Sequence, residues 1–530
     1  MSTFESGAEL KERKASEIVI GLVGALGTDF DMVCGLIEAK LKQFDYRTKT
    51  WRLSEYIRAY QELAGVRLDE TSEYMRLKTY MDGGDELRHL GERDKDSEGK
   101  RTQAPEGKRT RDILACLAAV DIADQRKGTA QPSVAHLLRS LKRKEEVDTL
   151  RSVYGLGFYL IGIYTPEKER LDYLRHVKNL TEGQARELME RDEQGEEPWG
   201  QNTRQTFVIS DFFLNASRRA SVMNDLGRFF DLVFGHQYIS PEPDEHAMFL
   251  AHAASMRSLA LSRQVGACVT SPNHDVLAVG TNEVPSPGGG QYWPGEYDQR
   301  DHKWRPQVGE ARDSNDAVRE VIVDDVVKRV AKVVGAEYRD RLVEEIDRSR
   351  IERVTEYGRV VHAEMEALLS CARSGVSPVG GTLFTTLFPC HNCVRHIIAA
   401  GISRVVYLEP YPKSLAEDLH SDAISIDSED SPCLPRKVRF QVFTGVAARR
   451  YIDLFSMNLG WGYRFENEYS RKHEIEDPHR RGYVREPNRE VRVKMQRFGY
   501  VEAEEKLATD TMKLLESPQM GGRRGHEGPS

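Results

Sequence analysis

Apolar residues along this chain fall into short runs and spaced repeats that predict alternating strands and helices. Residues 18–23 form a β-branched run, a buried strand by its content, and Met32, Val33, Leu36 and Ile37 then recur at helical spacing. Leu137, Leu138, Leu141, Val147 and Leu150 read as helical or partly helical. Phe158–Tyr164 is a second buried strand, followed by a helix opening at Pro166, and Phe207–Leu214 reads as a third. Strands alternating with helices predict a mostly parallel sheet. Pro241 and Pro243 mark a boundary. Beyond it come a helix from Asp244 to about Ser262, a hairpin over 265–281, a strand from Arg404 and a last alternating strand at Val438, Phe440 and Val442. Val446–Phe455 resumes helical character.

This punctuation predicts four parts. Residues 1–16 are a polar, flexible start; 17–240 form an α/β domain; 244–460 form a second, with an insertion at about 288–355; and 465–530 are a charged, partly disordered tail. The insertion carries a periodic helix near Val318–Val334 and is suited to line a ligand mouth or to build a homo-oligomer interface.

Composition narrows the class. The net charge is −8 and the hydrophobic share 39%, so sizeable cores are expected and the footprint of a protein that grips a nucleic-acid backbone is not. No apolar run reaches membrane-spanning length, and Met1–Arg13 is charged without an apolar signal core. Seven scattered cysteines fit no disulfide framework, and a reducing cytoplasm is the expected compartment.

Chemistry concentrates in two places. After the first strand, Gly21, Gly24 and Gly27 with Thr28 lead into a helix, the way a phosphate-binding turn is built. The Lys-Ser/Thr that ends a Walker loop is missing, since Thr28 and Asp29 follow Gly27. A nucleotide-binding but non-phosphorylating turn is the expectation, against a purely structural one. The second place is His362-Ala-Glu364, followed 28 positions after His362 by Cys390-His-Asn-Cys393. One imidazole and two thiolates suit Zn²⁺ and leave a fourth position for water, whose pKa the metal lowers. Glu364, beside the ligand set, is placed to move protons while that water attacks an aminated nucleobase ring. Met365, Leu368, Leu369 and Ala372 put His362 and Glu364 at a helix start, and Val394, Ile397 and Ile398 do the same for the cysteines. Asn282, after the hairpin, is a candidate for a sugar or base contact, and Lys413, after a strand, for phosphates. Spacing alone leaves cytosine-type and adenine-type deamination open, as well as a nucleotide-binding regulator with a structural zinc.

Residues 244–460 resemble the cytidine and deoxycytidylate deaminase superfamily. The likeness rests on Ser262-Arg-Gln-Val-Gly-Ala267, Gly280-Thr-Asn282, His362-Ala-Glu364 and Pro389-Cys-His-Asn-Cys393. It implies a cytidine-deaminase-like α/β/α domain with Zn²⁺ on His362, Cys390 and Cys393 and with Glu364 catalytic. Residues 17–235 resemble P-loop nucleoside-monophosphate kinases through Gly21–Gly27, Ser54, Glu145–Arg151 and Arg170. With Glu409-Pro-Tyr-Pro-Lys-Ser-Leu-Ala416, the whole chain is similar to bacterial anti-phage dCTP deaminases. That likeness implies conversion of dCTP to dUTP in antiviral defence, with a regulatory nucleotide at the first domain. A dCMP deaminase and a polynucleotide deaminase are the alternatives.

Overall fold

The structure, a computed structural model, describes residues 17–89, 111–126, 133–193, 201–217, 219–234, 239–303, 311–347, 349, 351, 357–410, 414–427, 437–456 and 500–516. The expected segment 1–16, Lys413 and much of the expected tail lie outside them. The chain divides into two compact units: Met1–Pro241 with Thr444–Ser530, and Glu242–Phe443.

In the first unit, β1 (Ile18–Gly24) is buried along its whole length, which is why it reads as an unbroken apolar run. Next come α1 (Phe30–Lys42), β2 (Arg47–Arg52), α2 (Ile113–Arg126), β3 (Val134–Arg139), α3 (Lys144–Tyr154) and β4 (Phe158–Tyr164). α4 (Glu167–His176), α5 (Glu182–Glu193), β5 (Phe212–Asn215) and α6 (Arg219–Val233) follow. The strand order is β2-β3-β1-β4-β5, and every one of these neighbours is parallel. One face is sealed by Val33 and Ile37 of α1 and by Phe229 and Phe230 of α6, packed with Ile20, Leu22 and Phe212 of the sheet. Two segments differ from the sequence reading. Leu137 and Leu138 lie in β3, because a short strand with burial on both faces shows no alternation. The run at 207–214 is split: Phe207 and Val208 close a short helix, Thr203–Val208, and the strand starts only at Phe212. Between them, buried Asp211 accepts the Leu160 N–H at 2.8 Å and pairs with Arg151 at 3.1 Å, so a carboxylate is tolerated inside an apolar run.

In the second unit, α7 (Pro243–Ser255) precedes the hairpin of β6 (Gly266–Thr270) and β7 (Val276–Thr281). The insertion holds α8 (Ser314–Val334) and α9 (Arg339–Asp347). Then come α10 (Ala363–Ser374), β8 (Thr382–Leu387), α11 (His391–Ala399), β9 (Arg404–Glu409), β10 (Ile424–Ile426) and β11 (Val438–Val442). The sheet order is β10-β11-β9-β8-β6-β7, parallel from β10 to β8 and antiparallel across β6. Gly280 lets α10 lie directly on β7: a Cβ there would meet Ala363 O at 2.2 Å and Ala367 N at 2.5 Å. The start of α10, where His362 and Glu364 sit, is thereby fixed against the sheet.

The chain then rejoins the first unit, seventeen residues before the expected end of the second domain at 460. β12 (Gly445–Val446) pairs antiparallel with β5, and α12 (Ala448–Phe455) buries Leu454 in the same core as Phe229. α13 (Tyr500–Glu516), inside the expected tail, is also part of this unit. Tyr500 Oη donates to Glu17 Oε2 at 2.6 Å, Arg126 pairs with Glu17 at 2.7 Å, and both Arg126 and Tyr154 reach Glu504. A helix whose residues look like a solvated tail is thus held by buried charges far away in sequence. Among the described residues, no helix is long and apolar enough to cross a membrane.

Candidate metal centre

The three chemically distinctive residues of the second unit are brought to one point. His362 is the N-cap of α10 and Cys390 the N-cap of α11, each with extended backbone (ψ 152° and 162°) before its helix begins. His362 Nδ1 lies 3.4 Å from Cys390 Sγ and 3.3 Å from Cys393 Sγ, and the three donor atoms all fall within 4.8 Å of one another. A tetrahedral Zn²⁺ with bonds of about 2.0–2.1 Å to nitrogen and about 2.3 Å to sulfur sets its ligand atoms about 3.5 Å apart. The donor set therefore fits zinc in type and in spacing. His391 is not in the group, which leaves three protein ligands among the described residues.

Two helix N-termini stabilise negative charge here. The Cys390 thiol is pulled down to about 3, first by its contact with Cys393 and then by His362. His362 is pushed up to about 9, chiefly by the Cys390 contact and against its burial. Cys393, fully buried, is pushed the other way by Cys390, by burial and by the neighbouring Glu364 charge. A divalent cation bound by these groups would replace their proton-mediated contacts and release protons. Glu364 lies in the first turn of α10 and is 4% exposed. Burial raises its carboxyl above the ordinary value, while the charge on His362 opposes the rise.

The segment after β7 runs beside the start of α10. Glu283 N–H and O exchange hydrogen bonds with Val361, at 3.2 and 3.1 Å, so this segment is stitched to the residue just before His362. Asn282 lies on it, but both ends of its amide are engaged: Oδ1 accepts the Val265 N–H and Nδ2 donates to Arg263 O, each at 2.7 Å. In this state it holds the 263–265 loop. Glu283 escaped the sequence reading. It is 1% exposed, accepts the Leu259 N–H at 2.9 Å and pairs with Arg300 at 3.5 Å. A carboxylate next to Asn282 was the available signal, but its partner Arg300 lies inside the insertion. Trp293 is stacked by Arg257, whose guanidinium carbon is 3.8 Å from the ring centroid. In the other unit, Gly27 and Thr28 lie in the β1–α1 turn, Gly24 is the last residue of β1, and Gly21 lies inside that strand. A Cβ on Gly21 would meet Leu141 at 2.5 Å and Phe158 at 2.7 Å, so its smallness serves packing.

Known proteins resemble the metal-bearing part. Residues 241–409 match the family model of the cytidine and deoxycytidylate deaminase zinc-binding region. The deoxycytidylate deaminase of Enterobacteria phage T2 is 44% identical over 54 residues, which are 10% of this chain and 29% of that protein. The chain thus spans less than a third of that relative. The deoxycytidylate deaminase of Mus musculus is 22% identical over 214 residues, 40% of this chain and 86% of that protein. A solved dCMP deaminase from the cyanophage S-TIM5, in complex with dCMP and dUMP, is 20% identical and covered in full by 39% of this chain, with a TM-score of 0.23. The similarity to the cytidine and deoxycytidylate deaminase zinc-binding region is thus confined to residues 241–409, the part that carries His362, Glu364, Cys390 and Cys393.

Proposed function

We propose that the second unit hydrolyses the exocyclic amine of a free cytosine deoxynucleotide, most specifically dCTP, giving dUTP and ammonia. The observation that carries this reading is the meeting of His362, Cys390 and Cys393 at one point, with buried Glu364 in the adjoining helical turn. Zn²⁺ held by these three residues supplies Lewis acidity and a water of lowered pKa. The chain's own residues do the rest. Glu364 takes one proton from water and delivers it to the ring nitrogen as the C4–O bond forms; it then takes the proton of the new C4 hydroxyl and passes it to the amine, so the C4–N bond breaks, the C4 carbonyl forms and ammonia leaves. The Glu283–Val361 bridge keeps His362 in place.

The choice of triphosphate comes from the likeness to anti-phage dCTP deaminases, where draining dCTP deprives a replicating phage. The names of the phage T2 and mouse relatives favour a second reading, dCMP as substrate. Ammonia release from zinc-loaded protein given dCMP, dCTP, CTP or single-stranded DNA separately decides between them. Turnover of dCTP well above that of dCMP supports the first reading. Product from the strand alone overturns both. No product from any of the four, with zinc bound stoichiometrically, leaves a regulator with a structural metal.

A further inference from the structure

The turn between β1 and α1 contains an anion seat that one of the chain's own carboxylates occupies. β1 lies between β3 and β4, so the loops after these three parallel strands leave the same edge of the sheet, where strand order reverses and α/β proteins take ligands. At Gly27, φ is +91°, and a Cβ would meet Arg170 Cβ and O at 2.8 Å, so the turn is pressed against the start of α4. The Leu26 N–H donates to Asp192 Oδ2 at 2.8 Å. The other oxygen of that carboxylate accepts from Lys142 Nζ at 2.7 Å, and the same ammonium reaches Gly24 O at 3.0 Å. Arg170 donates to Glu193 Oε1 at 2.7 Å and to Leu26 O at 3.5 Å. Lys142 follows β3 and Arg170 follows β4, so the two cations come from the strands that flank β1. Asp192 is fully buried.

A further group is left over. Thr28 is 6% exposed and turns into the loop, its Cγ2 3.4 Å from where a Gly24 Cβ would stand, yet its Oγ1 has no hydrogen-bond partner among the described residues. A loop amide, an ammonium, a guanidinium and an unused hydroxyl make the donor set that a phosphate takes. Asp192 and Glu193 together carry the two negative charges of a phosphate monoester. Lys142 brings a point charge to the turn from another strand, although no lysine follows Gly27 in sequence.

We propose that Gly24–Thr28, Lys142 and Arg170 form a binding site for the phosphates of a polyphosphate or free nucleotide, and that the end of α5 fills it until such a ligand displaces Asp192 and Glu193. This is independent of the deamination reading, and its test does not use turnover. Hydrogen exchange of the full-length, zinc-loaded chain is followed with inorganic tripolyphosphate, ATP or dCTP added separately. The expected result is slower exchange in 24–30 together with faster exchange in 186–193. Asp192→Asn, which keeps the shape and removes the charge, tightens tripolyphosphate binding about tenfold, and Lys142→Met weakens it by at least about as much. A response to tripolyphosphate identifies phosphate alone as sufficient; a response only to the nucleotides adds a base or sugar contact to the same site. No change in 24–30 with any probe, in the wild type and in Asp192→Asn, overturns the proposal. So does slower exchange in 24–30 that leaves 186–193 unaltered, or that survives Lys142→Met. The wild-type measurement decides on its own if a variant does not fold.

Discussion

At the metal centre, two helix starts, those of α10 and α11, bring an imidazole and two thiols together. At the glycine turn, a loop amide just ahead of α1, that of Leu26, meets a carboxylate from elsewhere in the same unit, while the start of α1 itself is capped by Asp29. Both places use the partial positive charge of exposed backbone N–H groups. They differ in what completes them. The first gathers lone pairs whose mutual contacts leave room for a cation among them. The second has its charges matched internally, Lys142 by Asp192 and Arg170 by Glu193. Backbone N–H groups supply positive charge in both cases, from helix starts in the first and from a loop in the second, and the side chains decide whether the site accepts a cation or holds an anion.

The strongest way to break this contrast is to remove a ligand. Cys393→Ala is expected to abolish stoichiometric zinc, measured by atomic absorption, and to eliminate turnover, because it removes one of the three donor atoms that meet there. Glu364→Gln is the next test. Zinc stays bound while kcat falls by about 10²–10⁴, the range for removing a general acid–base group. Loss of zinc in that variant would instead make Glu364 part of the metal's own coordination.

Asn282→Ala sharpens the boundary between structure and substrate contact. It leaves the buried Val265 N–H without its acceptor, which costs about 1–3 kcal/mol, read as a lower urea midpoint for the second unit. A rise in KM at unchanged stability would return Asn282 to the substrate.

The smallest effect belongs to the first unit. Burial raises the Glu504 carboxyl to about 7, against the pull of Arg126. Between its ordinary value near 4.5 and about 7, the folded form keeps a proton that the unfolded chain gives up, so docking of α13 weakens as pH rises through this window and levels off above it. Protection of 500–516 against exchange, corrected for intrinsic rate, should fall by about 1–3 kcal/mol between pH 5 and 8, and Glu504→Gln should flatten the profile.

How legible each part was follows from the range of its interactions. β1 and β4 announce themselves because burial on both faces leaves an unbroken apolar run. The cluster of His362, Cys390 and Cys393 was legible because a His and two Cys at helix starts are rare residue types in a local pattern. β3 was missed because Leu137, Leu138 and Leu141 also fit a helix face, and only pairing with β1 and β2 decides. α13 was missed because Glu504 and Glu505 look solvated until Arg126, 378 positions away, is brought to the first of them. Asp192 carried no signal either, since an acidic residue late in a charged helix is ordinary until the Leu26 amide is placed against it. Lys413, expected to meet phosphates, lies outside the described residues.

The return of residues 444–456 and 500–516 to the first unit has a consequence for biosynthesis. Emerging from the ribosome, the chain delivers all of Glu242–Phe443 before β12, α12 and α13 exist. The metal-binding portion is therefore free to mature while its host still lacks an edge strand and two covering helices. A nascent polypeptide cut short anywhere before residue 500 leaves Glu17 and Arg126 without Tyr500 and Glu504, an exposed ionic patch that quality-control proteases can recognise.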